Sequence, residues 1–168
     1  VRLWPLILAA AIGLGGAALF VPHGEDGAAV GARLYQANCA ACHGVAREGQ
    51  AKWWEVGKDG LLPAPPLDGT GHLWQHSDAD IAGFIADGMA AVAPKGYRSA
   101  MPAFRDRLTG PEREAILAYL KSAWPPGVRA YQASQNPGGP PLSDLKGDWH
   151  FPPDCTLRFA EVMKSQAK

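Results

Sequence analysis

The sequence predicts an all-α fold in which short helices and long irregular loops close round a bound group that completes the core. Three observations carry this expectation. Helix signals stand at an apolar stripe from about Ala28 to Asn38, at a cap on Ser77 and at a capping box on Thr109. With 20 glycines and 15 prolines in 168 residues, the backbone is interrupted too often for many long regular elements. Between Gly44 and His76 neither a helix nor a strand pattern emerges, and a structureless stretch of that length needs something else to organise it.

Taken in order, the chain opens on Leu3 to Val21, an uncharged run of Leu, Ile, Ala, Gly, Trp and Phe. It is close to the roughly 20 residues that span a bilayer as a helix. Arg2 precedes it and His23, Glu25 and Asp26 follow, so the positive-inside rule carries the rest of the chain outward. An uncleaved anchor over 1–22 is expected, with a cleaved signal peptide as the competing reading and Gly16-Ala17-Ala18 as its possible site. Residues 23–27 then form a short polar linker. Lys plus Arg and Asp plus Glu both number 16, so no global field points to nucleic acid or an acidic substrate.

The first helix should place Val30, Leu34 and Cys42 on roughly one stripe, with Gly31 one turn before Tyr35 for a close helix crossing. It leads into Cys39-Ala40-Ala41-Cys42-His43, the spacing of a covalent haem c attachment site. Each thiol adds across a vinyl group on one edge of the porphyrin, and a helical turn presents residues i and i+3 on one face. His43 then offers an imidazole nitrogen to the iron. A thioredoxin-like pair would want a βαβ setting and a zinc site a fourth ligand nearby, and neither is visible. Covalent haem also implies the far side of a membrane, where the assembly machinery of bacteria works.

A haem would organise the loop from Gly44 to His76, because it adds apolar core volume that a small domain lacks. The loop carries Trp53, Trp54, Leu61, Leu62, Leu67, Leu73 and Trp74 without periodicity. Ser77, with Asp78 and Asp80 in the first turn, starts a helix whose apolar face is Ile81, Phe84 and Ile85 and which ends at Gly88. Pro94 to Arg105 is a second loop, holding Met101-Pro102-Ala103-Phe104. Thr109-Gly110-Pro111-Glu112 starts the last clear helix, with Ile116, Leu117, Tyr119 and Leu120, and Pro125-Pro126 stops it.

From Gly31 to about Trp124 the chain resembles a class I cytochrome c. The residues that carry the likeness are Gly31, Tyr35, Cys39, Cys42, His43, Gly44, Pro65-x-Leu67-x-Gly69, Met101-Pro102 and the helix with Tyr119. The segment Asp68 to Trp74 is also similar to one found in bacterial cytochromes c. The resemblance implies an all-α haem domain over 28–132, with its first and last helices crossing at Gly31 and Tyr35 against the Tyr119 region. It implies that a proline carbonyl, from Pro65 or its neighbour Pro66, accepts the other N–H of His43 and raises its basicity. It also puts Leu67 at the haem. A longer, Trp-rich insert between His43 and Pro65 departs from the short members. Trp74, with His72 beside it, is expected to donate hydrogen bonds to a haem propionate.

Met101 stands in the family position for the sixth iron ligand; Met89 and Met163 read as core fillers, and His72 and His76 are the rival ligands. A thioether favours ferrous iron and closes the metal to substrates. Lys95, Arg98, Arg105 and Arg107 flank the Met101 loop, as a basic collar for an acidic partner or as simple solubilising charge. Past Trp124 the chain is expected to leave the fold, with a helical turn or two over Val128–Gln132 and a Pro/Gly-rich extension over 133–168. Cys155 in that extension is either a buried thiol or a site of intermolecular disulfide or lipid attachment.

The expected function is one-electron transfer through a His43/Met101-ligated haem c on the periplasmic side of a bacterial inner membrane, with no nucleic acid and no small-molecule substrate. A cytochrome bc-type complex or dehydrogenase would be the donor, and an oxidase, reductase or photosynthetic centre the acceptor. The alternatives are a fixed haem c subunit of a larger membrane redox complex and, with an open iron site, a haem enzyme or gas sensor.

Overall fold

Helix α1 (Gly27–Asn38) begins where the Asp26 carboxylate accepts the Ala28 N–H at 3.1 Å. The structure, a computed structural model of the chain, describes residues 26–141 and 143. The expected anchor over 1–22 and the extension from 144 onward, with Cys155, lie outside the described residues. Among the described residues no helix is long and apolar enough to cross a membrane.

The frame of the domain is the crossing of α1 with α5 (Gly110–Ser122). A Cβ on Gly31 would stand 1.9 Å from the Ala115 carbonyl oxygen, so only glycine lets the two backbones meet this closely. One turn on, the Tyr35 and Tyr119 rings pack at 5.3 Å between centroids. The buried edge of α1 is therefore Gly31 and Tyr35. Of the stripe expected from the sequence, Leu34 packs half-buried against the core and Val30 is also half-buried. The close crossing places the Gly31 edge directly against α5.

After the single turn α2 (Ala40–His43), the chain runs without regular structure to a 3₁₀ turn at Leu73–Gln75. The insert is closed by its own backbone: Gln50 N–H donates to the Ala64 carbonyl at 2.9 Å and Gly57 N–H to that of Leu61 at 2.7 Å. Its mouth is pinned and its ends lie together, the arrangement of an Ω-loop. Trp53 is buried there, while Trp54 is half exposed.

Helix α3 (Asp78–Asp87) starts with a full capping box between Ser77 and Asp80 and ends at Gly88. A single turn, α4 (Met89–Val92), follows in a stretch to which the sequence assigned no element. Its four residues are too few to impose a period, which is why the sequence hid it. The start of α5 repeats the capping box, between Thr109 and Glu112, with Pro111 inside the first turn. One core joins these elements: Tyr35, Leu67, Trp74, Ile81, Ile85, Phe104, Leu108, Ile116, Leu117, Leu120, Trp124 and Val128. Each large apolar side chain buried there contributes roughly 1.5–3 kcal/mol.

The chain does not leave the fold at Trp124. Helix α6 (Pro126–Ser134) is longer than the expected turn or two and buries Val128 and Gln132. Proline at its first position is favourable, so Pro125-Pro126 stops one helix and starts the next. The Tyr131 ring meets Trp74 edge-on at 5.3 Å. Asp78 ties three helices together: its backbone N–H donates to Asn136 Oδ1 at 2.7 Å, and its carboxylate accepts from Gln132 Nε2 and Lys121 Nζ at 2.5 and 2.7 Å.

Candidate functional site

The attachment turn hangs from the buried end of α1. Tyr35 O–H donates to the Gly44 carbonyl at 2.8 Å, so the residue after His43 is tied back across the turn. Burial pushes the Tyr35 hydroxyl far above its usual range, which keeps it a donor. Within the turn, His43 N–H donates to the Cys39 carbonyl at 2.9 Å. This single helical turn puts Cys39 and Cys42 three residues apart, and both are free thiols. Burial first, then the neighbouring Cys42, pushes the Cys39 thiol up to about 11.

The His43 ring is fixed from one side. Its Nδ1 lies 2.9 Å from the Pro65 carbonyl oxygen, which leaves Nε2 as the nitrogen that an iron could take. The Pro66 carbonyl is not in this position; the Gly71 backbone packs against it. Burial lowers the His43 pKa, and the bond to Pro65 pulls the other way. Gly49 holds that carbonyl in place, a part of the site that sequence reasoning missed. Its φ is +70°, its N–H donates to the His43 carbonyl at 2.8 Å, and a Cβ there would lie 2.4 Å from the Pro66 nitrogen. A glycine six residues after the histidine was the available signal.

Leu67 is buried, with its N–H on the Arg47 carbonyl at 2.8 Å and its own carbonyl accepting the Trp124 indole N–H at 2.9 Å. Arg47 donates to the Tyr119 carbonyl at 3.2 Å and lies over the Tyr119 ring. The loop after His43 is thus clamped to the C-terminal end of α5.

Met101 lies half-buried in the second loop, its N–H donated to Ser99 Oγ at 3.1 Å. The backbone of Met101–Ala103 passes directly over Gly88. Phe104 N–H is shared between the Ile85 and Ala86 carbonyls at 3.1 and 3.0 Å, and Arg105 N–H donates to Ala86 at 2.9 Å. The segment that carries Met101 is therefore docked on the end of α3. Two of the four basic residues flanking it have structural work: Arg105 forms a forked pair with Asp87, and Arg98 donates to the Asp59 carbonyl at 2.9 Å. Arg107 lies 5.9 Å from the Phe104 ring.

The role expected of Trp74 is corrected. Its ring is fully buried in the core and its one indole N–H donates to the Gly71 carbonyl at 2.7 Å, so it has no proton to offer a propionate. His72 stacks on Trp53 at 5.5 Å and stands edge-on to His76, which in turn meets Phe84 at 4.9 Å. Among the described residues no group of three His, Cys, Asp or Glu side chains is placed to hold a metal ion. A groove of about 420 Å³ runs between α3 and α5, lined by Asp78, Ala82, Glu114, Leu117 and Lys121, and includes no residue of the attachment turn.

These residues fit a haem. Two free thiols share one helical turn, the adjoining imidazole is held by a carbonyl on Nδ1, and His72 Nδ1 is buried with no partner among the described residues. No curated protein and no solved structure matches the chain. A family model does: residues 26–120 match the family described as cytochrome c oxidase, cbb3-type, subunit III. That span starts at the cap of α1 and runs to Leu120 in α5, taking in the attachment turn, the Pro65 and Met101 loops and most of the core. The chain belongs to this family and is a class I c-type cytochrome, with one haem c attached covalently through Cys39 and Cys42.

Proposed function

We propose that this protein carries single electrons through a haem c ligated by His43 and Met101, in a domain on the periplasmic side of a bacterial inner membrane. When bound, the haem supplies a one-electron couple between ferric and ferrous iron. The observation that carries the reading is the carbonyl-held His43 beside the attachment cysteines, and the Met101 loop docked on α3 supports it. Pro65 fixes the His43 tautomer and orientation, so the ring keeps one geometry in both oxidation states. Met101 offers the soft sixth ligand, which favours ferrous iron and leaves no open position for a substrate. Leu67 walls the site with apolar surface. A cytochrome bc-type complex or dehydrogenase would reduce the protein, and an oxidase, reductase or photosynthetic centre would oxidise it.

The description of the matching family favours one second reading, a fixed haem c subunit of a larger membrane oxidase complex. Two experiments test the proposal. The unmutated ferrous protein should resist carbon monoxide; rapid binding would replace the carrier with a haem enzyme or sensor. Gentle solubilisation of native membranes should release a protein that migrates alone, and stoichiometric co-migrating subunits would favour the fixed-subunit reading.

A further inference from the structure

His72 and Arg47 hold the two buried side-chain nitrogens, among the described residues, that find no partner in the protein: His72 Nδ1 and Arg47 Nε. Such an atom costs about 1–3 kcal/mol if it stays unsatisfied, so each calls for an explanation. For Arg47 the surroundings give one. Another nitrogen of the same guanidinium bonds the Tyr119 carbonyl, and the cation rests on the Tyr119 ring 4.2 Å from its centroid.

His72 has no such local use. Its ring is caged by carbon faces and edges: Trp53 stacks on it at an interplanar angle of 17°, and His76 meets it edge-on at 6.0 Å. Trp53 is itself buried and braced edge-on by Trp54 at 5.8 Å. Burial, with His76 as a lesser cause, brings the His72 pKa down to about 4, so the ring is neutral at pH 7. A neutral imidazole carries one N–H and one lone pair, and Nδ1 must use one of them on something other than the described residues.

The backbone under the ring is tied to the attachment site. Gly71 packs on the Pro66 carbonyl, next to the Pro65 carbonyl that holds His43. The Trp74 indole N–H closes the same turn on Gly71. A haem brings two carboxylates into a largely apolar protein, and each needs donors. With Trp74 committed elsewhere, we propose that His72 Nδ1–H donates a hydrogen bond to a haem propionate and that Trp53 is the wall that holds the ring in register. This rests on the haem-carrier reading and deepens it. The bond draws charge from the propionate, and a less negative carboxylate beside the iron favours the ferrous state. His72 is then a positioning and potential-setting residue, and neither His72 nor His76 serves as an iron ligand.

The test uses the full-length, haem-loaded chain. In the diamagnetic ferrous protein, ¹⁵N–¹H correlation of the imidazoles should show His72 as the Nδ1–H tautomer with a slowly exchanging proton. His72→Leu should move the propionate bending modes in the resonance Raman spectrum and shift the redox equilibrium about threefold to tenfold toward ferric. His72→Asn, whose amide nitrogen stands close to the place of Nδ1, should restore both. The Nε2–H tautomer would overturn the proposal, as would a His72→Leu protein whose propionate modes and potential match the parent. Loss of the low-spin spectrum in His72→Leu would also overturn it, by making His72 an iron ligand. Should His72→Leu fail to load haem, the tautomer in the unmutated protein still decides. Carbon monoxide binding by the parent is a separate readout, so failure of the carrier reading leaves the His72 result distinct.

Discussion

The two sides of the candidate iron site are built differently. The His43 side is over-determined. Tyr35 holds the turn, Pro65 holds the ring, Gly49 holds the Pro65–Pro66 segment, and Trp124 holds the Leu67 loop. All of these contacts are with buried or half-buried backbone. The Met101 side is a loop held chiefly at its C-terminal end. Phe104 and Arg105 dock it on α3, but Pro102 and Ala103 beside the methionine are exposed, and Arg98 reaches across from the surface. With His43 and Met101 as the ligands we propose, the sulfur would adjust while the imidazole stays fixed. Local stability follows the same division, since regions with few buried contacts open first.

The largest expected effect breaks the frame on which both sides depend. Gly31→Val must push α5 away from α1, because the new Cβ would overlap the Ala115 carbonyl. Overpacking at such a crossing costs about 3 kcal/mol. Thermal unfolding of the haem-loaded protein should show Tm lowered by on the order of 10 °C. An unchanged Tm would mean that the crossing is looser than the structure shows.

A smaller change sharpens the comparison on the His43 side alone. Gly49→Ala forces a side chain into a left-handed backbone against the Pro65–Pro66 peptide, at a cost of about 2 kcal/mol. As the Pro65 carbonyl shifts, the bond to His43 weakens, the ligand becomes less basic and the reduction potential rises. Disturbance of the Met101 side should lower the potential instead. Equal signs from both sides would remove the distinction.

The smallest effects lie in the supports of the loop and the helix ends. Arg105→Gln removes the pair with Asp87, whose members are 60% and 35% exposed. It should cost under about 1 kcal/mol, and less in high salt. The caps give a pH dependence of definite sign. Hydrogen bonds from Ser77 hold Asp80 below the usual carboxylate range, and those from the Thr109 backbone and hydroxyl do the same for Glu112. A depressed folded-state pKa gives stability that is complete above the ordinary carboxylate range and is lost as pH falls through the lowered value. Glu112→Gln should therefore flatten the acid limb of the stability curve by lowering the neutral plateau slightly, with little change at the acid end.

The sequence made legible what short-range chemistry determines. Cys39, Cys42 and His43 announce their use by spacing, and the caps at Ser77 and Thr109 announce α3 and α5. The Gly31 crossing with the Tyr119 region came from the resemblance to class I cytochromes c, and the structure shows it. What stayed hidden depends on contacts far apart in sequence. Trp74 looked like a propionate donor, yet its proton goes to Gly71 three residues away and its ring to Tyr131. Helix α6 was cut short because Pro125-Pro126 reads as a stop, while its anchors, Asp78 and His76, lie more than fifty residues upstream. Gly49 was passed over because its role exists only once the Pro65–Pro66 peptide is folded against it.

The central claim is that Met101 closes the iron opposite His43, and optical spectroscopy with a redox titration of Met101→Ala tests it most directly. The oxidised parent should show the weak red charge-transfer band of methionine-ligated ferric haem. Met101→Ala should lose the band, titrate at a lower potential and bind carbon monoxide or cyanide readily, while Met89→Ala behaves as the parent. A parent that lacks the band and already binds carbon monoxide, with Met101→Ala unchanged from it, would contradict the claim.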